Sequence, residues 1–298
     1  MQKRSCLKTG LFGCLGLLLI VLLVVGVTTL VASRGVKRQR VEEQSLPPVA
    51  VSRAEQAPVT GGRLILDLAD GDFEIMPAAP GEGVSVEARY DQESYALADS
   101  FETLPDSWIY RVRFWRTISG LQALMQAILG GDTDTWVHIY VPPDVPIELE
   151  INGAEGGMEA ELGGLWIKQA EIHFEKGGFS LSVDEPLREP MQSLSIRGRM
   201  GGFEAVELGN ASPRSLVVDW KMGGADVDLR GDWLQDCNVR FTLSMGGMSV
   251  TVPREVDVQG LADSGIRLRP ANPEVPGSPP MLYFSVSQKM GEVDFTRR

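Results

Sequence analysis

Over most of residues 59–298 the apolar positions of this chain recur with a period of two, the pattern of β-strands with one buried face. The alternation is clearest around a recurring phrase. "RMGGFEAVEL" at 199–208, "KMGGADVDL" at 221–229, "SMGGMSVTV" at 244–252 and "KMGEVDF" at 289–295 each set a Met and one or two glycines between alternating runs. With the Met as position n, the inward candidates around Met222 are Leu216, Val218, Trp220 and Met222, then Ala225, Val227 and Leu229. Around Met245 they are Val239, Phe241, Leu243 and Met245, then Met248, Val250 and Val252. The parity of the buried positions slips by one residue at each glycine pair, and a straight strand would turn one arm's apolar side chains to water. The glycines are therefore expected to form a corner, a bulge or a tight turn, where positive φ costs Gly little. Met at n is expected to close the inward row, its flexible side chain filling an irregular gap.

Weaker copies fit the same template. "EINGAEGGMEAEL" has Glu155 at n and then Met158, Ala160 and Leu162; "EIHFEKGGFSLSV" has Lys176 at n and then Phe179, Leu181 and Val183. "LILDLADGDFEI" places Asp70 at n, with Phe73 and Ile75 after the turn. The glycine pairs begin at 156, 177, 201, 223 and 246, separations of 21, 24, 22 and 23 residues, and the last Met-Gly follows 45 residues later, about two periods. A period near 22 signals a repeat architecture. Each unit should hold two short strands of six or seven residues. Two arrangements satisfy this: a hairpin meander with a turn at each Gly-Gly, or stacked coils with equivalent residues aligned along one axis. Near-equal unit lengths favour the second, so the expected fold class is all-β, a β-solenoid-like stack with one inserted helix. The insertion spans residues 91–135. It contains an aromatic run, "DSWIYRVRFWRT", and then a helical stripe over 118–129 formed by Ile118, Leu121, Leu124, Met125, Ile128 and Leu129, read as a cap on one end of the β-core.

The amino terminus follows different rules. Residues 9–33 carry no charge and include "LGLLLIVLLVVG". As a helix this stretch is about 37 Å long, enough to cross a bilayer's hydrocarbon core. It is too long for the apolar region of a cleaved signal peptide. The expected organisation is an N-terminal membrane anchor over 1–34, a linker or loose lead-in strand over 35–58, and a repeat β-domain over 59–298. Basic residues flank both ends of the span, so charge does not fix its orientation. A short cytoplasmic tail and an extracytoplasmic body, periplasmic or at the cell surface, is the favoured topology of this single-pass membrane protein.

Charge and rare residues narrow the function classes. The first forty residues carry seven basic and no acidic side chains, whereas the whole chain has a net charge of −12, leaving −19 for residues 41–298. An acidic body repels phosphate backbones, which argues against nucleic-acid partners. Three cysteines, of which Cys6 and Cys14 lie at or within the apolar segment and Cys237 is alone in the body, make no disulfide framework. Two histidines, His138 and His173, leave little for a metal site or a His-based catalytic group. No zinc spacing, phosphate-cradling loop or "GxSxG" is present. No catalytic, cofactor-binding or metal-ligating residue is therefore assigned, no cofactor or small-molecule substrate is expected, and the chain is read as a non-enzyme. Outward positions after each corner include Glu159, Glu161, Glu204, Asp226, Asp228 and Asp294, interrupted by Ser180, Ser182, Ser249 and Thr251. Stacked coils would gather these into an acidic strip, either a solvated exterior or a surface for cations and cationic partners. "NAS" at 210–212 matches a glycosylation sequon.

The run from "TWVHIYVPPDVPIELEINGAEGGMEAEL" through "NVRFTLSMGGMSVTVP" resembles the toast-rack and putative-adhesin β-repeat domains of bacterial envelope proteins, which include extracytoplasmic parts of proteins related to cell-wall-stress regulators. The matching features are the "VPPDVP" entry, the recurring Gly-Gly phrases and the unit length, over residues 136–252 with a looser copy at 61–77. The resemblance implies a glycine-punctuated β-solenoid beside a membrane anchor in a bacterium, and supplies no catalytic residues. The expectation is a membrane-anchored scaffold or regulatory protein-interaction module of the envelope, touching the bilayer through residues 9–33 and binding another envelope protein or itself. The alternative is a surface adhesin or self-assembling β-protein.

Overall fold

In a computed structural model, which describes residues 41–49, 61–118, 135–261 and 279–298, the chain is all-β. The described residues form thirteen strands of one sheet, with no α-helix and a single 3₁₀ turn at Leu208–Ala211. The expected anchor over 9–33 and, apart from Ile118, the helix expected over 118–129 lie outside the described residues. Among the described residues no helix is long and apolar enough to cross a membrane.

Seven bent strands carry the repeat: β2 (Gly62–Pro77), β7 (Ile147–Glu161), β8 (Ile167–Ser182), β9 (Ser193–Val206), β10 (Ser215–Asp228), β11 (Cys237–Val252) and β13 (Met281–Arg297). Each runs through its glycine without interruption, so the two short strands expected per unit are one strand of 14–17 residues with a bend. Neighbours pair in parallel and in register. Gly71 faces Gly156, Gly156 faces Gly177, Gly177 faces Gly201, and the column continues through Gly223 and Gly246 to Gly291. A hairpin meander would place consecutive arms antiparallel, and is excluded for this part of the chain. Across the 45-residue spacing before the last Met-Gly no rung intervenes in the stack, because β11 lies directly against β13. The added chain instead contains β12 (Asp257–Gln259), which covers only the start of β13.

The register explains the first glycine of each pair. Gly156, Gly177, Gly201, Gly223 and Gly246 have φ between +121° and +134°, and a Cβ on each would overlap the carbonyl oxygen of the column glycine one rung below. Both the backbone bend and the rung spacing thus require Gly at n+1. The second glycine is different. Gly178, Gly202, Gly224 and Gly247 have no positive φ, and a Cβ there would meet nothing within 4 Å.

The arms bury the expected core. Leu216, Val218, Trp220, Val227, Val239, Phe241, Leu243 and Val250 are at most 1% exposed, and the counterparts on β2, β7, β8 and β9 are buried as well. Aromatic rings stack along the axis: Phe179 on Phe203 with centroids 5.3 Å apart, and Phe203 on Trp220 at 5.3 Å. Trp220 has space because its register partner is Gly198 and the residue after its own corner is only Ala225. One expectation fails here. Met200, Met222, Met245 and Met290 do not close the inward row but lie outside the bend, 40–66% exposed. The bend begins one residue earlier than the parity count placed it, so Trp220 and Leu243 are the last inward residues and the next four positions face outward. Met at n shares its column with Asp70, Glu155 and Lys176, and Lys176 forms an ion pair with Glu155 there.

At the amino-terminal end the two arms of β2 diverge. Its first arm pairs with β5 (Trp108–Arg116), which pairs antiparallel with β4 (Tyr95–Thr103); its second arm pairs with β6 (Trp136–Val141), followed by β3 (Val84–Asp91) and β1 (Val41–Val49). The aromatic run of the insertion is therefore β5, with Trp108, Tyr110, Val112 and Phe114 buried. β1 occupies part of the stretch read as linker. Return segments between rungs are hydrogen-bonded to each other: Leu187 N–H donates to the Asn210 carbonyl at 3.0 Å, and Arg214 N–H to the Met191 carbonyl at 3.0 Å. Asn210 is buried, its amide donating to the Val183 carbonyl at 2.7 Å and its Oδ1 accepting from Asp232 N–H at 2.9 Å. The sequon asparagine is thus committed to the core.

Candidate functional site: an acidic, glycine-floored groove

Just past the bend, the second arms leave a groove of about 990 Å³ running from β2 to β13. Six inter-strand spacings give it a length of about 29 Å. Its floor is the column Gly157, Gly178, Gly202, Gly224 and Gly247 with the edges of Phe73, Met158, Phe179, Phe203 and Met248. Because Gly178, Gly202, Gly224 and Gly247 have ordinary φ and open space above them, their missing side chains serve the groove rather than the bend, whereas a Cβ at Gly157 would meet the Asp72 carboxylate. Asp72 and Glu292 fill the same column at its two ends.

The wall is the first outward position of the second arm. Glu74, Glu159, Ser180, Glu204, Asp226, Ser249 and Asp294 align across the seven strands. Of the residues that the sequence assigned to an acidic strip, Glu159, Glu204, Asp226 and Asp294 are brought together with Ser180 and Ser249. Glu161, Ser182, Asp228 and Thr251 fall two residues further along their strands, outside the groove lining. Asp228 is also held by the Arg230 guanidinium through both carboxylate oxygens, which raises the guanidinium's already high pKa. Three groove acids escaped the sequence reading: Asp72, Glu74 and Glu292. Each sits two or four residues beyond its own n, so aligning the phrases would have found them.

Among the described residues no lysine or arginine lines this groove. Among its carboxylates Glu74 has a histidine neighbour, His138 Nε2 at 3.3 Å; no ion pair occurs at the other six among the described residues. Glu74 lies opposite Glu159 and Glu204 opposite Asp226, like charges on adjacent strands that cost stability. The other side of the bend contrasts with this. A second groove of about 640 Å³ is lined by Asp70, Arg116, Glu155, Lys176, Glu175 and Arg199 among others, and these pair off: Arg116 with Asp70, Lys176 with Glu155, and Arg199 with Glu175. Nearby, Glu171 accepts from His173 and Arg197, which hold its pKa below the usual carboxylate value. Of these two grooves, the acidic one is thus left with its charge largely uncompensated.

Other reactive groups are buried or spread apart. Cys237 is fully enclosed, and desolvation pushes its thiol up to about 12. Tyr110 is raised by burial and by donating to Asp99 at 2.9 Å. Among the described residues no three His, Cys, Asp or Glu side chains gather as a metal site.

The chain matches no protein-family model and no curated relative. It is similar to a solved cell adhesion protein from Clostridium sporogenes, described as putative, at 12% identity with a TM-score of 0.39, covering 87% of this chain and 99% of that one. A second solved structure, a putative adhesin from Bacteroides fragilis, has 8% identity and a TM-score of 0.33 over 87% of this chain and 98% of that one. A putative adhesin from Parabacteroides distasonis follows at 9% identity and 0.23, over 87% and 98%.

Proposed function

We propose that the chain is a non-enzymatic, membrane-tethered interaction module, a β-solenoid whose acidic groove receives an extended cationic partner. The reading rests on one observation above all: among the described residues seven carboxylates and no basic side chain line a 29 Å groove whose floor, at Gly178, Gly202, Gly224 and Gly247, is glycine where the fold does not need glycine. A glycine floor lets a ligand's backbone approach closely, and a single-sign wall raises the local concentration of opposite charge. The like-charged register pairs fit a surface kept for binding at some cost in stability. A basic, extended segment of a neighbouring envelope protein has the matching chemistry. The uncharged stretch at 9–33 supplies the tether, with the body extracytoplasmic; a reporter fused to the C-terminus that is active only in the cytoplasm would reverse that topology.

The test uses the full chain in detergent, titrated with an extended oligolysine peptide and with oligoglutamate as control. Oligolysine should bind, more weakly as salt rises, and oligoglutamate should not. Glu159→Gln, Glu204→Gln and Asp226→Asn together should abolish binding while raising the melting temperature, because two like-charge pairs are relieved. Binding that survives the triple substitution would refute the groove as the site.

A further inference from the structure

We propose, independently of the groove, that the open edge of β13 is a self-association surface that joins two copies of this chain tail to tail. The argument begins with the two ends of the sheet. At one end, β1 is a guarded edge: Pro47 and Pro48 have no N–H to donate, and its register shifts between Leu46 and Val49. At the other end, β13 contains no proline and is paired on one side, along its whole length, with β11. On its far side β12 covers Met281–Tyr283, and Gly260 lies against the Phe284 carbonyl. At the strand's other terminus the Arg297 guanidinium donates to the Arg254 and Val256 carbonyls. Between them, Ser285 to Thr296 have no strand partner on that side among the described residues. The core surfaces there as well: Val286 is 37% exposed, and Val293 and Phe295 are half-buried.

The symmetry of this stretch selects its occupant. Its midpoint falls between Met290 and Gly291, which is the bend itself. A two-fold axis along the bisector of the bend therefore maps each arm of β13 onto the other arm of a second copy, antiparallel. Inward residues are even-numbered before the bend (Phe284, Val286, Gln288) and odd-numbered after it (Val293, Phe295), as their partners on β11 show. Only registers that pair even with odd keep the two cores continuous. Of these, one alone sets bend on bend. It places Val286 opposite the partner's Phe295, Ser285 opposite the partner's Thr296, and Lys289 opposite the partner's Glu292. Lys289 and Glu292 thus meet opposite charges, twice by symmetry, and Asp294 faces the partner's Ser287 rather than a like charge. A basic peptide or a different protein strand would satisfy the hydrogen bonds but not this reciprocal pairing. In the resulting assembly the two β1 strands lie at opposite ends of one continuous ladder.

Sedimentation of the full chain in detergent tests this, with hydrogen exchange of 285–296 read in parallel. The expected result is a concentration-dependent dimer, with amide protection at 285–296 rising as it forms. Lys289→Glu should weaken the dimer about tenfold, since two pairs become repulsive, and adding Glu292→Lys in the same chain should restore it. Val286→Lys, which puts a charge opposite the partner's Phe295, should give monomers that keep the strand content of the parent. A monomer at every concentration, or a dimer indifferent to Lys289→Glu and Val286→Lys, would overturn the proposal. A dimer weakened by Lys289→Glu but not rescued by Glu292→Lys would overturn the register.

Discussion

Adjacent glycines at one corner should respond oppositely to the same methyl group. Gly201 has φ +134°, and an added Cβ would overlap the Gly177 carbonyl oxygen one rung away. Gly202 has no positive φ and open space where a Cβ would stand. For Gly201→Ala the backbone strain alone is about 1–3 kcal/mol. Relieving the overlap means spreading β8 from β9, which weakens ladder hydrogen bonds worth about 1 kcal/mol each. It also shifts the Gly201 carbonyl, which accepts from Trp220 Nε1 at 3.2 Å. The total is about 3–5 kcal/mol, or a melting point lower by on the order of 10 °C for a domain of this size. Gly202→Ala reduces the freedom of the unfolded chain at a compatible site and should stabilise by about 0.4–1 kcal/mol. Urea unfolding followed by circular dichroism, with the denaturant slope checked for constancy, measures both. Equal effects of the two substitutions would refute the division of labour between the glycines.

Three further outcomes are expected. Trp220→Ala removes a fully buried ring stacked on Phe203 and should cost about 3–5 kcal/mol in the same assay. Met222→Gln, at an exposed position outside the bend, should change stability by less than about 0.5 kcal/mol; a core-sized loss would return Met to the interior. Cys237 has a folded pKa of about 12 against 9.0 for the free thiol. Above pH 9 the unfolded chain loses this proton and the folded chain keeps it. Stability from this group is therefore intact below pH 9 and falls by about 1.4 kcal/mol per pH unit towards pH 12. Comparison with Cys237→Ala across that range should isolate the slope, and identical pH profiles would contradict it.

Much of this was legible in the residues. The parity slip located every bend, the spacing located most rungs, and the buried rows either side of each bend were read correctly. What misled was position n. Met is apolar, and a parity count cannot say at which residue a bend begins. The signal was present nonetheless: Asp70, Glu155 and Lys176 occupy n on other rungs, and charged side chains without buried partners belong outside. Likewise "GG" reads as one unit in sequence. Only the stacking register, a property of contacts more than twenty residues apart, separates a glycine that the bend requires from one that leaves a groove open. The divergence of β5 and β6 from the two arms of β2 was not readable either, since alternation reports a buried face but not which strand lies beside it.

The parallel, in-register stack is tested most directly by one distance. Spin labels at Glu74→Cys and Asp294→Cys, in a chain with its native cysteines replaced and diluted with unlabelled copies, report the span of the acidic row by pulsed electron resonance. Six spacings across seven parallel rungs place the two labels about 29 Å apart. A distance of roughly twice that, as a meander with two strands per unit would give, contradicts the stack and the groove built on it.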